Sequence, residues 1–156
     1  MNSKTLFFLF VFTYLSVITQ NSFGQQFSTN EKSVLLPVNQ LFEGMLNADS
    51  SLVKQTFAKD AELFTVSKKE NEPYFQQGSV DAFVKFIGNG KASDYKESIS
   101  NEKVKIDGDL AMVWCDYTFY LKNELHHCGV NLFLLLKTSN GWKIRQITDT
   151  RRQGCD

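Results

Sequence analysis

Residues 95–150 read YKESISNEKVKIDGDLAMVWCDYTFYLKNELHHCGVNLFLLLKTSNGWKIRQITDT, and this stretch decides the fold. From Tyr95 onward apolar and polar residues alternate with a period of two, the mark of strands with one buried face. Ile99 to Ile106, Leu110 to Leu121, His126 to Lys137 and Trp142 to Thr150 read as four long strands. Asp107-Gly108, Asn123-Glu124 and Asn140-Gly141 separate them, and Asp-Gly and Asn-Gly are the strongest short hairpin signals. The segment is expected to be an antiparallel meander whose long strands twist and coil.

Upstream of it the period changes. Val34, Leu35, Val38, Leu41, Phe42, Met45 and Leu46 recur at three- and four-residue steps between Glu31 and Ala48, which is one face of an amphipathic helix. Pro37 lies inside it, so the helix is expected either to start near Leu36 or to kink at Pro37. Asp49 or Ser50 can cap a second short helix, Leu52 to Phe57. Ala61 to Val66 reads as a short strand, Lys68 to Glu72 as a charged loop, and Tyr74 to Gln77 as a further strand. Ser79 then caps a helix carrying Val80, Phe83, Val84 and Ile87 that ends at Gly88. Helices first and a meander after give an α+β layout, with the helices on one face of a strongly curved sheet. A bent sheet around a helix leaves a hollow at its open end, where pockets are usually found.

The N-terminus reads as a secretory signal, residues 1–24, ahead of a single domain, residues 25–156. Lys4 precedes an apolar run from Leu6 to Ile18, and Ser22-Phe23-Gly24 follows as a cleavage site. The run is about 13 residues, short of the roughly 20 that span a bilayer. Cleavage near Gln25 would leave an exported chain, periplasmic or extracellular and soluble, with no stable membrane anchor. Loss of Lys4 leaves 16 basic against 17 acidic residues. That balance, with no basic run among aromatics, gives no reason to expect a nucleic-acid partner.

Four segments carry a family resemblance: Leu41-Phe42-Glu43-Gly44-Met45-Leu46-Asn47-Ala48-Asp49, Phe57-Ala58-Lys59-Asp60-Ala61-Glu62-Leu63, Val104 to Trp114 (VKIDGDLAMVW), and Gly141-Trp142-Lys143-Ile144 with Asp149-Thr150-Arg151. Their order and spacing resemble the nuclear transport factor 2-like superfamily, in particular its small exported lumazine-binding-like and SnoaL-like members. The resemblance implies a cone-shaped α+β fold with N-terminal helices packed in a strongly curved, mostly antiparallel sheet. It also implies frequent pairing of sheets in homodimers. One such fold hosts isomerases, cyclases, dehydratases and binding modules.

The chemistry must come from the strands. Asp116 and Tyr117 are adjacent and point to opposite faces, so they cannot share a cavity. Asp149 and Arg151 are two apart and share a face, either as part of a site or as a structural ion pair. If Ser139 belongs to the last hairpin loop, Asn131 lies opposite Asp149 and Gly129 opposite Arg151. His127, Asn131, Asp149 and Arg151 then cluster, while a one-residue slip breaks the cluster. With Tyr117 they are the expected pocket residues. Of His126 and His127, side by side on a strand, one is expected to face inward as an acid or base. No HxH, CxxC or Glu-x-x-His spacing points to a metal, and no phosphate loop or dinucleotide fingerprint points to a cofactor. On the strand from Leu110 to Leu121, Ala111, Val113, Cys115, Tyr117 and Phe119 form the more apolar face. Trp114 and Tyr120 lie on the other, where exposed aromatics suggest a homodimer interface.

Export would let disulfides persist. Three cysteines, Cys115, Cys128 and Cys155, allow one internal bridge. In the last hairpin residue 128 lies opposite Arg152, so Cys155, three residues on, can reach Cys128. In the preceding hairpin residue 119 is expected opposite Cys128, which leaves Cys115 about 13 Å away, beyond disulfide reach and free. Three function classes remain: an exported binding domain with a small apolar or polycyclic ligand in the cone, a cofactor-free acid–base enzyme, and a protein-interaction dimer with a filled cone. The 14 Phe residues suit an apolar cavity and put the binding domain first.

Overall fold

The computed structural model describes residues 26–69, 72–152 and 154–155. The expected leader, residues 1–24, and the expected first mature residue, Gln25, lie outside the described residues. The elements run α1 (Thr29–Asn47), α2 (Ser50–Thr56), β1 (Phe57–Lys69), β2 (Glu72–Gly78), α3 (Val80–Gly88), β3 (Tyr95–Asp107), β4 (Leu110–Leu121), β5 (Glu124–Thr138) and β6 (Gly141–Thr150). No described helix is long and apolar enough to cross a membrane.

The six strands form one curved, unclosed sheet in the order β2-β1-β6-β5-β4-β3. The meander β3 to β6 pairs antiparallel throughout. The β1–β2 hairpin joins its far edge through a parallel pairing of β1 with β6. The expected strand Ala61 to Val66 is thus part of a 13-residue strand. Neighbouring β6 satisfies backbone groups that a six-residue piece would leave open.

Helix α1 starts at Thr29, earlier than the expected Leu36. The cause is a capping box: Ser28 Oγ accepts from the Glu31 N–H, and Glu31 accepts from the Ser28 N–H. That cap starts a full first turn, and the helix continues through buried Pro37. It ends at Ala48, in the left-handed region with φ 54°. Asp49 then caps α2 by accepting from the Leu52 N–H. The α1–α2 corner is tight. A Cβ on Gly44 would lie 2.8 Å from Val53 Cγ2, so only glycine lets the helices approach this closely.

The apolar stripe of α1 lies on the inner face of the sheet. Val34, Val38 and Leu41 are buried with Val113, Phe133, Leu135 and Ile144. Four register shifts bend the sheet around this core. They fall between Phe57 and Glu62, Ser100 and Lys103, Phe119 and Tyr120, and Leu134 and Leu135. Each adds twist and turns the strand.

Two hairpin expectations change in detail. The β4–β5 turn is centred on Lys122 and Asn123, both at positive φ, rather than on Asn123-Glu124. That turn alone would set Tyr117 opposite Cys128; the bulge at His126 shifts the register by one, so Thr118, not Phe119, lies opposite Cys128. The β5–β6 loop is Ser139-Asn140, with Thr138 opposite Gly141. That register alone would set Asn131 one residue away from Asp149. The bulge beside Leu134 and Leu135 restores the offset, and Asn131 lies opposite Asp149.

Cys128 and Cys155 are joined, with Cα atoms 5.8 Å apart and a sequence separation of 27. Cys128 sits opposite Arg152 in an isolated bridge that carries the sheet past the end of β6. Cys115 is a buried free thiol.

Candidate ligand pocket

The open end of the curved sheet encloses a cavity of about 530 Å³. Helix α1 contributes Leu41, Phe42 and Met45 to its wall, and α3 contributes Phe83 and Phe86. The sheet adds Phe119, Phe133 and Ile147. Leu41, Phe42, Met45, Phe83 and Phe119 are positions that the periodicity marked, so the pattern that built the core also built much of the apolar wall. Phe42 meets Phe133 edge-on, centroids 6.0 Å apart, which fixes the wall at the deep side.

Polar groups gather at one end. Tyr117, His127, Asn131, Asp149 and Arg151 all line the cavity. Asp149 is the hub. Its Oδ1 accepts from Thr65 Oγ1 at 2.6 Å. Its Oδ2 accepts from Arg151 Nε at 2.8 Å and from Tyr117 OH at 3.2 Å. Tyr117 OH also lies 2.8 Å from the Thr150 carbonyl. Both Asp149 oxygens are therefore engaged by the protein itself. Thr65 was not legible in the sequence as a site residue. The parallel pairing of β1 with β6 puts it beside Asp149.

Glu97 is the second addition. It follows buried Tyr95 on β3 by two residues and faces inward with it. Its Oε1 accepts from Asn131 Nδ2 at 2.7 Å. Its remaining accessible surface belongs to the cavity it lines. Burial raises its pKa from 4.5 to about 7, the Asn131 hydrogen bond pulls the other way, and the Asp149 charge adds to the rise. Glu97 is thus a carboxyl that exchanges its proton near neutrality. The available signal was a lone Glu at an inward step of a period-two run. It was missed because the strand was read as starting at Ile99.

The two histidines correct a second expectation. Only one was expected to face inward, yet both line the cavity. The register shift between Phe119 and Tyr120 leaves His126 as an extra residue on β5, opposite no partner. The bulge turns its ring toward that of His127, and the Nδ1 atoms lie 2.7 Å apart. His127 also packs against the Tyr117 and Phe119 rings, centroids 5.6 and 5.1 Å away. Burial, then the nearby Arg151 charge, lowers its pKa to about 4, so it is neutral at pH 7. Among the described residues no group of three or more His, Cys, Asp or Glu is placed to hold a metal ion.

Residues 29–146 match the family model described as "Putative lumazine-binding". No curated protein is significantly similar to the chain. Solved structures share the fold. An NTF2-like protein of unknown function from Shewanella baltica OS155 is 17% identical, with TM-score 0.62, over 84% of this chain and 100% of that one. A putative dehydratase of the NTF2-like family from Streptomyces avermitilis is 16% identical, with TM-score 0.63, over 81% and 98%. An NTF2-like protein with a cystatin-like fold from Novosphingobium aromaticivorans is 14% identical, with TM-score 0.63, over 81% and 84%. Likeness at such identities is likeness of fold.

Proposed function

The chain belongs to the putative lumazine-binding family within the NTF2-like superfamily, and from that premise we propose that it binds a small, largely apolar molecule in the cone. The observation that carries this reading is the cavity: about 530 Å³, walled by aromatic and aliphatic side chains, with its polar groups at one end. That volume falls within the range of small-molecule sites, and so does the pattern of an apolar body with a few convergent polar groups. The family description names lumazine, a flat bicyclic heteroaromatic. A ligand of that shape could stack on Phe side chains while its ring heteroatoms meet the polar end.

Native mass spectrometry of the purified protein tests the reading. The expected result is a non-covalent adduct that is lost on denaturation. It should also be lost in Ala82→Trp, because Ala82 lines the cavity and an indole there would obstruct it. An adduct indifferent to that substitution would place the molecule elsewhere and reject the pocket reading.

A second reading draws support from Glu97. A carboxyl with a pKa of about 7 in the same cavity as a neutral histidine is equipped for acid–base catalysis on a bound molecule. Turnover of the retained molecule that Glu97→Gln abolishes would favour this reading over simple binding.

Two copies of the chain are proposed to pair through the outer sheet face. Trp114 lies there opposite Leu132, and Met112 opposite Leu134. Trp114 is 42% exposed. Tyr120, the other expected interface aromatic, is half-buried with the Lys96 ammonium 5.6 Å over its ring, so Trp114 is the stronger anchor. Export is proposed on the apolar leader and is consistent with the Cys128–Cys155 bridge. N-terminal sequencing of the protein from the producing cell tests it, and retention of Met1 in a membrane fraction would reject it.

A further inference from the structure

The two carboxyl groups of the pocket are not equivalent, and the difference assigns their roles. Asp149 is the more heavily engaged of the two. Thr65 occupies Oδ1, and Arg151 with Tyr117 occupies Oδ2. Its negative charge is matched by Arg151 at 2.8 Å. Three of the roughly four acceptor sites of this carboxylate are thus filled by the protein, which leaves a ligand little to gain there without displacing a partner. Glu97 has one oxygen tied down, Oε1, by Asn131. Its Oε2 has no hydrogen-bond partner among the described residues, and the residue lines the cavity. Among the described residues no sealed side-chain oxygen lacks a partner, so Oε2 is open to the cavity, where a bound molecule is positioned to meet it.

We infer that Glu97, rather than Asp149, is the carboxyl that grips the polar end of the bound molecule, and that this end is an uncharged hydrogen-bond acceptor such as a ring carbonyl or ring nitrogen. The inference rests on the pocket reading above and names the ligand class for it. The argument for an acceptor is electrostatic. Asn131 spends an N–H on Oε1, so the free Oε2 is where a carboxylic acid would carry its proton and donate it. An apolar molecule that fills the cavity removes the remaining water and further disfavours the ionised carboxylate. Protonated Glu97 then faces the ligand as a donor.

Among the neighbours of Glu97 whose pKa is shifted, none changes between pH 5.5 and 8.5, and a His126→Gln background controls for the exposed ring beside His127. At the end of β6 Asp149 and the following Arg151 form an ion pair. On β4 Cys115 and Tyr117 are both pushed up by burial and stay protonated, Cys115 to about 12. On β5 Asn131 does not titrate, His127 is neutral above its pKa of about 4, and His126 stands next to it at the mouth. The wall residues of α1 and α3 are apolar.

The test uses three probes with one carbon skeleton: 2-acetylnaphthalene, which carries an acceptor; 2-ethylnaphthalene, which carries none; and 1-(2-naphthyl)ethylamine, a cation. Affinities are measured with the purified protein at pH 5.5 and 8.5. The expected result is a preference of roughly tenfold for the ketone over the hydrocarbon at pH 5.5, falling below about twofold at pH 8.5. Glu97→Gln keeps an N–H donor and should retain the preference at both pH values, while Glu97→Leu should lose it at both. Circular dichroism melting confirms that each variant is folded. Equal binding of ketone and hydrocarbon at pH 5.5, preference for the amine, or pH dependence that persists in Glu97→Gln when His126 is also replaced by Gln would overturn the inference and leave the pocket reading standing. Failure of all three probes to bind would overturn both.

Discussion

Asn131 and Glu97 are 34 positions apart in sequence, yet Asn131 Nδ2 donates to Glu97 Oε1 at 2.7 Å across the inner face of the sheet. Asn131 is buried, and its paired residues are Cys115 on one side and Asp149 on the other. The bond therefore spans β4 from β5 to β3 and is made possible by the curl of the sheet. Because this bond favours the ionised form, Asn131→Leu should push the Glu97 pKa above 7. The carboxyl carbon resonance of Glu97, followed by NMR against pH, reads the shift. An unchanged midpoint would mean that the bond does not form in solution.

Glu97 and His127 should drive stability in opposite directions with pH. Glu97 rises from 4.5 to about 7 on folding, so the native state holds its proton more tightly. Its contribution is fully present below about pH 4.5 and is lost as pH rises through 7, on the order of 3 kcal/mol by linkage. His127 falls from 6.5 to about 4. Its contribution is present above pH 6.5 and lost as pH falls through 4. Between pH 4.5 and 6.5 the two slopes oppose each other, so the parent protein should show a nearly flat urea midpoint there. Glu97→Gln should leave a midpoint that climbs with pH over that window. His127→Gln should leave one that declines up to pH 7. Parallel profiles in the three proteins would contradict the assignment.

The Cys128–Cys155 bridge closes a 27-residue separation, for which loop entropy gives about 3 kcal/mol. Chemical denaturation with and without prior reduction should differ by that order. Thiol alkylation of the folded, unreduced protein should label nothing, since Cys115 is buried and its thiol is pushed up to about 12. Unfolding should expose one thiol, and reduction three.

Gly129 is a packing requirement rather than a turn. A Cβ there would run into the Thr150 carbonyl and lie 2.9 Å from Tyr117 Cε1. Gly129→Ala should cost more than about 2 kcal/mol and displace Tyr117 from Asp149. Gly154→Ala, with nothing within 4 Å of the added carbon, should leave the melting temperature unchanged.

Trp114→Glu should reduce the light-scattering mass of the protein to that of a single chain while preserving its circular dichroism. A parent protein that already runs as a monomer would remove the outer face as an interface.

The sequence by itself determined the element order, the α+β class and the inward face of the strand from Leu110 to Leu121, because hydrophobic period depends only on which residues must avoid water. It also placed Tyr117, His127, Asn131, Asp149 and Arg151 as pocket candidates, and all five line one cavity. The Asn131–Asp149 pairing illustrates the limit of such reading. It was reasoned from a three-residue loop, whereas the chain makes a two-residue loop and recovers the offset with a bulge. Bulges leave little trace in composition, since they answer to sheet curvature that many strands share. The same cause brought His126 in beside His127. Thr65 reached Asp149 only because β1 runs parallel to β6, a pairing between segments more than 80 positions apart. Glu97 became the open carboxyl only when Thr65, Tyr117 and Arg151 had closed around Asp149. Which of two acids is satisfied and which is left facing a cavity depends on partners from β1, β4 and β6 together, and that only the tertiary structure could decide.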